Sequence, residues 1–286
     1  MTPLPGISWK SIKITEPEAF LENLQQLHHA VQHVAAMDYA FSKEPDGNKV
    51  IKLSWCTEIG RVTGQLIEGA ISFKALFLPK EFTIALEDKE GNLLTSLPLE
   101  GQKQGKILVW LEEQADQLGL DTSAFSLNLP YEIPDYLLGK RKPFKPKAII
   151  QETIVDLFNN ACLVLQEAAA TLLGFDALSI FPKHLYLETQ HTVKDTGDPE
   201  TSACVRLGMS PGDDIVQEPY YYVNVLPFPS TEDFPGLTNG IWYEDEWVGA
   251  IYSLSAINAK TSEVAQRNSI VVFLQEACEV LRATIK

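Results

Sequence analysis

The sequence is poor in cysteine, in basic residues and in recognisable catalytic motifs, and each shortage excludes a class of protein. Its 286 residues include only four cysteines, Cys56, Cys162, Cys204 and Cys278. They lie far apart and show no C-x-x-C spacing, which disfavours a zinc cluster. We therefore expect reduced thiols, as is usual in the cytoplasm.

Basic residues are scarce, because 23 lysines and arginines face 38 acidic residues and the formal net charge is -15. Nucleic-acid binding normally requires a basic footprint, so we expect no nucleic-acid partner. One basic run extends from Lys140 to Lys147, but Pro143 and Pro146 interrupt it. This composition favours a solvated linker over a phosphate or membrane contact.

The sequence also lacks a signal peptide between Met1 and Ser11 and an uninterrupted apolar run of membrane-spanning length. We expect a soluble, cytoplasmic protein that makes no membrane contact. The content of hydrophobic residues, 45%, is sufficient for one large domain or two modest ones. The oligomeric state is left open.

Two motif matches fail on inspection, and a third motif is absent. The segment Gly208–Gly212 fits G-x-S-x-G, but Pro211 has no N–H for the oxyanion hole and no histidine follows Ser210. The segment Gly101–Lys106 is one residue too short for a phosphate loop, and no G-x-G-x-x-G occurs. Serine hydrolase, P-loop and dinucleotide-binding chemistry are therefore not supported.

Apolar periodicity predicts three long helices, which begin near Thr15, Ala148 and Ser262. Thr15 offers a cap hydroxyl, and Glu18 completes a capping box. Strand-like runs and one shorter helix fill the rest. The strands are expected at 50–55, 70–77, 81–87, 93–97, 125–129, 184–189, 204–208, 220–225 and 248–254, and the helix at 107–118. Short turns between the strands favour antiparallel sheets and an α+β fold.

The order of helix, strands and helix occurs twice, which predicts two similar α+β halves. Their expected boundaries are residues 1–140 and 141–286, with a surface linker from Pro134 to Pro146. A pseudo-twofold relation between the halves is a further hypothesis. The second half carries most of the unusual polar residues.

The richest stretch runs from Arg206 to Val225. Pro211 and Gly212 predict a type II turn over Ser210–Asp213, and the aromatic and β-branched run after it predicts a strand. Asp213, Asp214 and Glu218 should therefore lie on a loop at one end of a sheet.

Alternation places His184, Tyr186 and Glu188 on one face of a predicted strand. An imidazole, a phenol and a carboxylate side by side can bind a metal or move protons. The alternative is a polar face of an exposed edge strand.

The first predicted helix carries His28 and Gln32 four residues apart, and also His29 and His33. We expect His29 and His33 on a solvated face, whereas His28 is either a hydrogen-bonded core histidine or part of a pocket. Trp242 flanks an acidic turn and is either a pocket wall or a packing residue of a hairpin.

Five motifs in this order resemble an uncharacterised bacterial family, a domain of unknown function. The matching residues include Leu27-His28 with Gln32, Phe181-Pro182 with His184, Ser210–Asp213, Glu218–Tyr220 with Tyr222-Val223, and Gly249-Ala250. The family pattern is L-H-x-x-x-Q, W-P-x-H-F-D, S-P-G-D, E-P-Y-x-Y-V and G-A. Phe181 and Tyr186 depart from it. The resemblance implies candidate positions and no reaction.

These observations predict a small-molecule enzyme with a cleft between the halves. The catalytic candidates are His184, Asp213 and Glu218. The ligand-binding candidates are His28, Gln32, Tyr186, Glu188, Tyr220, Tyr222 and Trp242. The identity of any cofactor is unknown and a divalent metal is left open; the alternative is a non-catalytic protein that binds a small molecule or a partner.

Overall fold

The computed structural model describes residues 8–42, 50–123, 125–197, 202–230 and 234–285. Over these residues the chain forms five helices and two antiparallel sheets, which confirms the predicted α+β class. Two compact units are present. Residues 14–156 with 180–185 form an N-terminal unit, and the described residues up to Lys13, with 157–179 and from Tyr186 onward, form a C-terminal unit.

The N-cap residue of helix α1 (Pro17–Phe41) is Glu16, one residue after the predicted cap, and Pro17 occupies the first turn. Thr15 therefore does not cap it. Every residue of the helix from Gln26 to Asp38 is buried, and this corrects the expectation that His29 and His33 are solvated. Its buried polar side chains are Asn23, Gln26, His28, His29, Gln32, His33 and Asp38.

The N-terminal sheet is an antiparallel meander in which each strand pairs with its neighbour in sequence. Its strands are β1 (Ser54–Cys56), β2 (Arg61–Thr63), β3 (Phe73–Leu78), β4 (Thr83–Asp88) and β5 (Leu93–Pro98). Helix α1 packs against β3 and against helix α2 (Gln104–Gln117). Strand β2 was not predicted, and the five residues 125–129, all described, do not form the strand predicted there.

The Pro-rich segment at 134–146 is part of the N-terminal unit, which is why the division falls within a helix at residue 156 instead of at residue 140. Phe144 is buried and packs edge-on against Phe82, with ring centroids 5.3 Å apart. Main-chain hydrogen bonds from Phe144 to Gln102 and from Gly101 to Phe144 add to this anchorage. An aromatic anchor within a proline-rich, basic run thus ties a predicted linker to a core.

The C-terminal unit is built around a six-stranded sheet. The elements that follow α2 are, in chain order, α3 (Ala148–Leu172), β6 (Ser179–Phe181), β7 (Tyr186–Lys194), β8 (Ala203–Ser210), β9 (Tyr220–Leu226), β10 (Ile241–Tyr243), β11 (Gly249–Ser253), α4 (Leu254–Asn258) and α5 (Glu263–Arg282). The strand order is β10-β11-β9-β8-β7-β6. Helix α5 packs on one face through β8, β9 and β11. The opposite face carries the polar residues of interest.

Helix α3 begins at its predicted residue, Ala148. Among the described residues it is the one helix long and apolar enough to cross a membrane. However, 61% of its most apolar 18-residue stretch is buried inside the protein. This burial is typical of the core helix of a soluble protein.

Gln26 offers a test of how the Pro-rich segment is held. Its Oε1 accepts from Lys145 N–H at 2.6 Å, and its Nε2 donates to the Lys145 carbonyl at 3.3 Å. Gln26→Met should lower the free energy of unfolding by about 1–3 kcal/mol, because both main-chain groups lose their partner. Urea unfolding at unchanged slope measures this difference.

The matched control is Gln25→Met, since Gln25 is a half-buried neighbour on the same helix. It should change the stability by less than about 0.5 kcal/mol. Equal effects of the two substitutions would mean that the clamp on Lys145 does not stabilise the segment.

Candidate functional site

The candidate site lies on the face of the C-terminal sheet that carries Tyr186, Glu188, Arg206, Gly208, Tyr220, Tyr222 and Asn224, here called the tyrosine face. Alternation along the strands puts these side chains on one side. In the register, Gly208 of β8 lies between Glu188 of β7 and Tyr222 of β9. A Cβ at Gly208 would come within 2.3 Å of the Tyr222 ring. The glycine therefore lets the ring lie flat over β8.

Because the ring crosses Gly208, the Tyr222 hydroxyl reaches the carboxylate of Glu188 and donates to Oε2 at 2.6 Å. Both residues are buried, with 4% and 7% of their surface exposed. A buried carboxylate needs donors to offset its lost hydration. Three adjacent strands are thus connected by one charge-assisted hydrogen bond.

Asp213 forms a second and denser set of hydrogen bonds. Its Oδ2 accepts from the hydroxyls of Tyr220 at 2.6 Å, Tyr186 at 2.9 Å and Ser210 at 3.4 Å. Its Oδ1 accepts from the main-chain N–H groups of Ile215 and Val216. A carboxylate that accepts this many bonds is a structural acceptor, and little of its hydrogen-bonding capacity remains for a substrate.

The predicted turn before Asp213 is correct at Gly212, which has a φ of +114°. However, Asp213 N–H donates to the carbonyl of Val216, three residues later, so this hydrogen bond closes the loop over residues 213–216. Asp214 on this loop is exposed.

The tyrosines of this face are held in their protonated form. Burial raises the pKa of Tyr186, Tyr220 and Tyr222 well above the usual range. The carboxylates of Asp213 and Glu188 raise these pKa values further, since a phenolate beside a carboxylate is repelled. The hydroxyls therefore donate hydrogen bonds at neutral pH and do not act as bases.

Glu218 has a different role from the one predicted. Its Oε2 accepts from the N–H of Ser255 at 2.8 Å, and its Oε1 accepts from the Ser255 hydroxyl at 2.7 Å. Ser255 lies in the first turn of α4, where N–H groups lack partners within the helix. Both carboxylate oxygens thus bind the beginning of a helix.

At the other end of the tyrosine face, Arg206 lies opposite Asn224 in the register. Arg206 Nε is 3.8 Å from Glu188 Oε1, an ion contact that is too long for a hydrogen bond. Within the described part of the chain, Arg206 Nε and Asn224 Oδ1 are buried and accept or donate no hydrogen bond. Trp247 lies beside Gly249, which is opposite Asn224 in the register, and its ring is 6.3 Å from that of Tyr222.

His184 does not lie on the strand with Tyr186 and Glu188, which corrects the prediction of a shared face. Its N–H donates to the Phe181 carbonyl at 3.2 Å and closes a turn. Leu185 has a φ of +58°, a left-handed conformation that a strand cannot include. Strand β7 therefore starts at Tyr186, and the His184 side chain is exposed.

His28 and Gln32 lie in the N-terminal unit and contact the same carbonyl. His28 Nε2 and Gln32 Nε2 each lie 2.9 Å from the Pro182 oxygen. A carbonyl only accepts, so His28 carries its proton on Nε2 and accepts from the Tyr136 hydroxyl at Nδ1, 3.2 Å away. The Tyr131 hydroxyl donates to Gln32 Oε1 at 2.9 Å. Of the two roles considered for His28, these contacts fit the core histidine.

The predicted residues therefore fall into two groups. His28 and Gln32 meet in the N-terminal unit, and Tyr186, Glu188, Asp213, Tyr220 and Tyr222 meet in the C-terminal unit. Trp242 stacks on Phe234 and donates from Nε1 to the Pro235 carbonyl at 2.7 Å. Trp247 and Tyr243 pack against the tyrosines instead. One pocket shared by all these residues stays a prediction.

The side chains of the described residues do not indicate a metal site. Over the described residues, no group of three or more His, Cys, Asp or Glu side chains is placed to hold an ion. Arg206, Asn224 and Trp247 are candidate residues that sequence reasoning missed. The alternation along β9 could have identified Asn224, since it lies two residues from the predicted site residue Tyr222.

Comparisons with known proteins identify no relative. No protein-family model matches the chain, and neither curated proteins nor solved structures give a match. The resemblance to the bacterial family stays a prediction.

The burial of His28 predicts acid sensitivity. Burial lowers its pKa from 6.5 to about 4, with a further contribution from His29, while the Pro182 carbonyl opposes this shift. Between these two pH values the unfolded chain binds more protons than the folded chain, so the stability falls as the pH falls. His28 alone should cost the protein roughly 2 kcal/mol of unfolding free energy between pH 7 and pH 5.

The measurement compares urea unfolding of the wild type and His28→Gln at both pH values. Glutamine can still donate to the Pro182 carbonyl but does not titrate, so the loss between pH 7 and pH 5 should be smaller by that amount. His33→Gln should act similarly, because burial also lowers the pKa of His33 to about 4. An identical pH dependence in all three proteins would contradict the assignment.

Proposed function

We propose that this protein is a cytoplasmic, non-catalytic small-molecule-binding protein whose site is the tyrosine face. The observation that carries the proposal is the hydrogen bonding of the acid-base candidates. Asp213 accepts from three hydroxyls and two main-chain N–H groups, and Glu218 is bound to Ser255. A general base must instead be within reach of a substrate proton.

The aromatic side chains beside these carboxylates support a binding role. Tyr186, Tyr243 and Trp247 are half-buried and pack against the buried rings of Tyr220 and Tyr222. Such groups offer apolar contact area and a few oriented polar atoms, the usual composition of a ligand site. The acidic net charge disfavours a nucleic-acid ligand.

The resemblance to the bacterial family is also a proposal. Hydrogen bonds between residues of different motifs support it. The L-H-x-x-x-Q residues His28 and Gln32 bind the carbonyl of Pro182, which belongs to the P-x-H element. Asp213 of S-P-G-D accepts from Tyr220 of E-P-Y. On this view the motifs pair with each other to build the fold, and no reaction follows from them.

The test is a thermal-shift screen of protein purified without added metal, against a panel of metabolites and divalent cations. A compound that binds only the folded state raises the midpoint, by a few degrees at about 100 times its Kd. We expect at least one metabolite to do so and to be recovered unchanged. The shift should be lost in Trp247→Ala and kept in Trp242→Ala.

The result that would contradict the proposal is catalytic turnover of a compound from the panel. A panel compound that the wild type converts, and that His184→Ala or Asp213→Asn fails to convert, would overturn the proposal in favour of the His/carboxylate enzyme. Stoichiometric metal lost in the same variants would point to the metal-assisted form of that enzyme.

A further inference from the structure

Two buried polar atoms on the tyrosine face lack hydrogen-bond partners within the described part of the chain, and they belong to directly opposed residues. They are the donor Arg206 Nε and the acceptor Asn224 Oδ1. Buried polar atoms are almost always satisfied, because leaving one unpaired is destabilising. An unpaired donor beside an unpaired acceptor is therefore a complementary pair that a ligand can satisfy.

A flat aromatic wall stands next to this pair. Asn224 also lies opposite Gly249 of β11, and a Cβ at Gly249 would come within 2.5 Å of the Trp247 ring. The glycine thus lets the indole lie on the sheet beside Asn224. Tyr243 is close to the same indole, with ring centroids 4.8 Å apart.

The surrounding charges restrict the ligand to a neutral or cationic molecule. The positive charge of Arg206 is already opposed by Glu188, the ion contact at 3.8 Å. Trp247 follows an exposed turn of three acidic residues, Glu244–Glu246. An anion would be repelled by this turn, although a lone arginine would otherwise favour it.

We propose that the Arg206–Asn224 pair binds a neutral planar amide carried on an aromatic ring. The amide oxygen accepts from Arg206 Nε–H, the amide N–H donates to Asn224 Oδ1, and the ring stacks on Trp247. Rotation of Trp247, at the end of the exposed turn, opens the pair to the ligand. The inference rests on the proposed function, since it names the ligand class of the same face.

Benzamide is the probe, and benzoate is its matched anionic control of nearly equal shape. Protein-observed NMR follows the Arg206 Nε–H and the Trp247 indole N–H during titration. A fragment of this size should bind with a Kd on the order of millimolar. We expect both signals to shift with benzamide, and benzoate to bind at least tenfold more weakly.

The variants separate this contact from general apolar binding. Asn224→Leu and Arg206→Gln should each weaken benzamide binding at least tenfold, and Asn224→Ala, which also removes the acceptor, serves the same purpose if the leucine variant does not fold. Trp242→Phe, which alters a tryptophan on β10 that stacks on Phe234, should leave the affinity unchanged.

Three outcomes would overturn the inference: no shift of either signal, tighter binding of benzoate than of benzamide, or wild-type affinity in the Asn224 and Arg206 variants. A metabolite that still binds through Trp247 and ignores these variants would leave the proposed function standing. Loss of both the metabolite binding and the benzamide-induced shifts would contradict the proposed function and this inference together.

Discussion

The requirement that buried and half-buried carboxylates receive hydrogen bonds governs the C-terminal sheet. Asp213 and Glu188 are the acceptors, and the hydroxyls of Tyr186, Tyr220 and Tyr222 are the donors. Gly208 allows the Tyr222 hydroxyl to reach Glu188 across β8, because only a residue without a side chain lets a ring cross its strand. Burial and neighbouring negative charge keep the phenols protonated, so the donors and acceptors match at neutral pH.

The same requirement acts on α1 in the N-terminal unit. Asn23, Gln26, His28 and Gln32 are buried, and their partners are main-chain groups of irregular segments. Loops that contain proline cannot satisfy all their polar groups internally, and the helix supplies the missing donors and acceptors. Residue types that suggest catalysis thus serve to hold loops.

Local periodicity was sufficient for the fold class and for the long helix α3, since both depend on residues close in sequence. It was insufficient where a partner came from elsewhere in the chain. The burial of His29 and His33 depends on the elements that enclose α1, and the anchoring of Phe144 depends on Phe82. The position of His184 depends on the left-handed backbone of Leu185, which no local rule predicts for a leucine.

For the site, the tyrosines and carboxylates were predictable as candidates because they occupy two short stretches, Tyr186–Glu188 and Asp213–Tyr222. Their roles were not predictable, because the same carboxylate serves as a base or as an acceptor according to how many donors surround it. The unpartnered atoms of Arg206 and Asn224 were not predictable, because hydrogen-bond partners depend on the packing of side chains from different strands.

The central claim is that Asp213 is a structural acceptor for Tyr220, and a double-mutant cycle tests it most directly. The free energies of unfolding of the wild type, Tyr220→Phe, Asp213→Asn and the double variant give the coupling between the two side chains. A hydrogen bond to a charged group predicts a coupling of about 1.5–3 kcal/mol. Additivity within about 0.5 kcal/mol would contradict the account and return Asp213 to the candidates for catalysis.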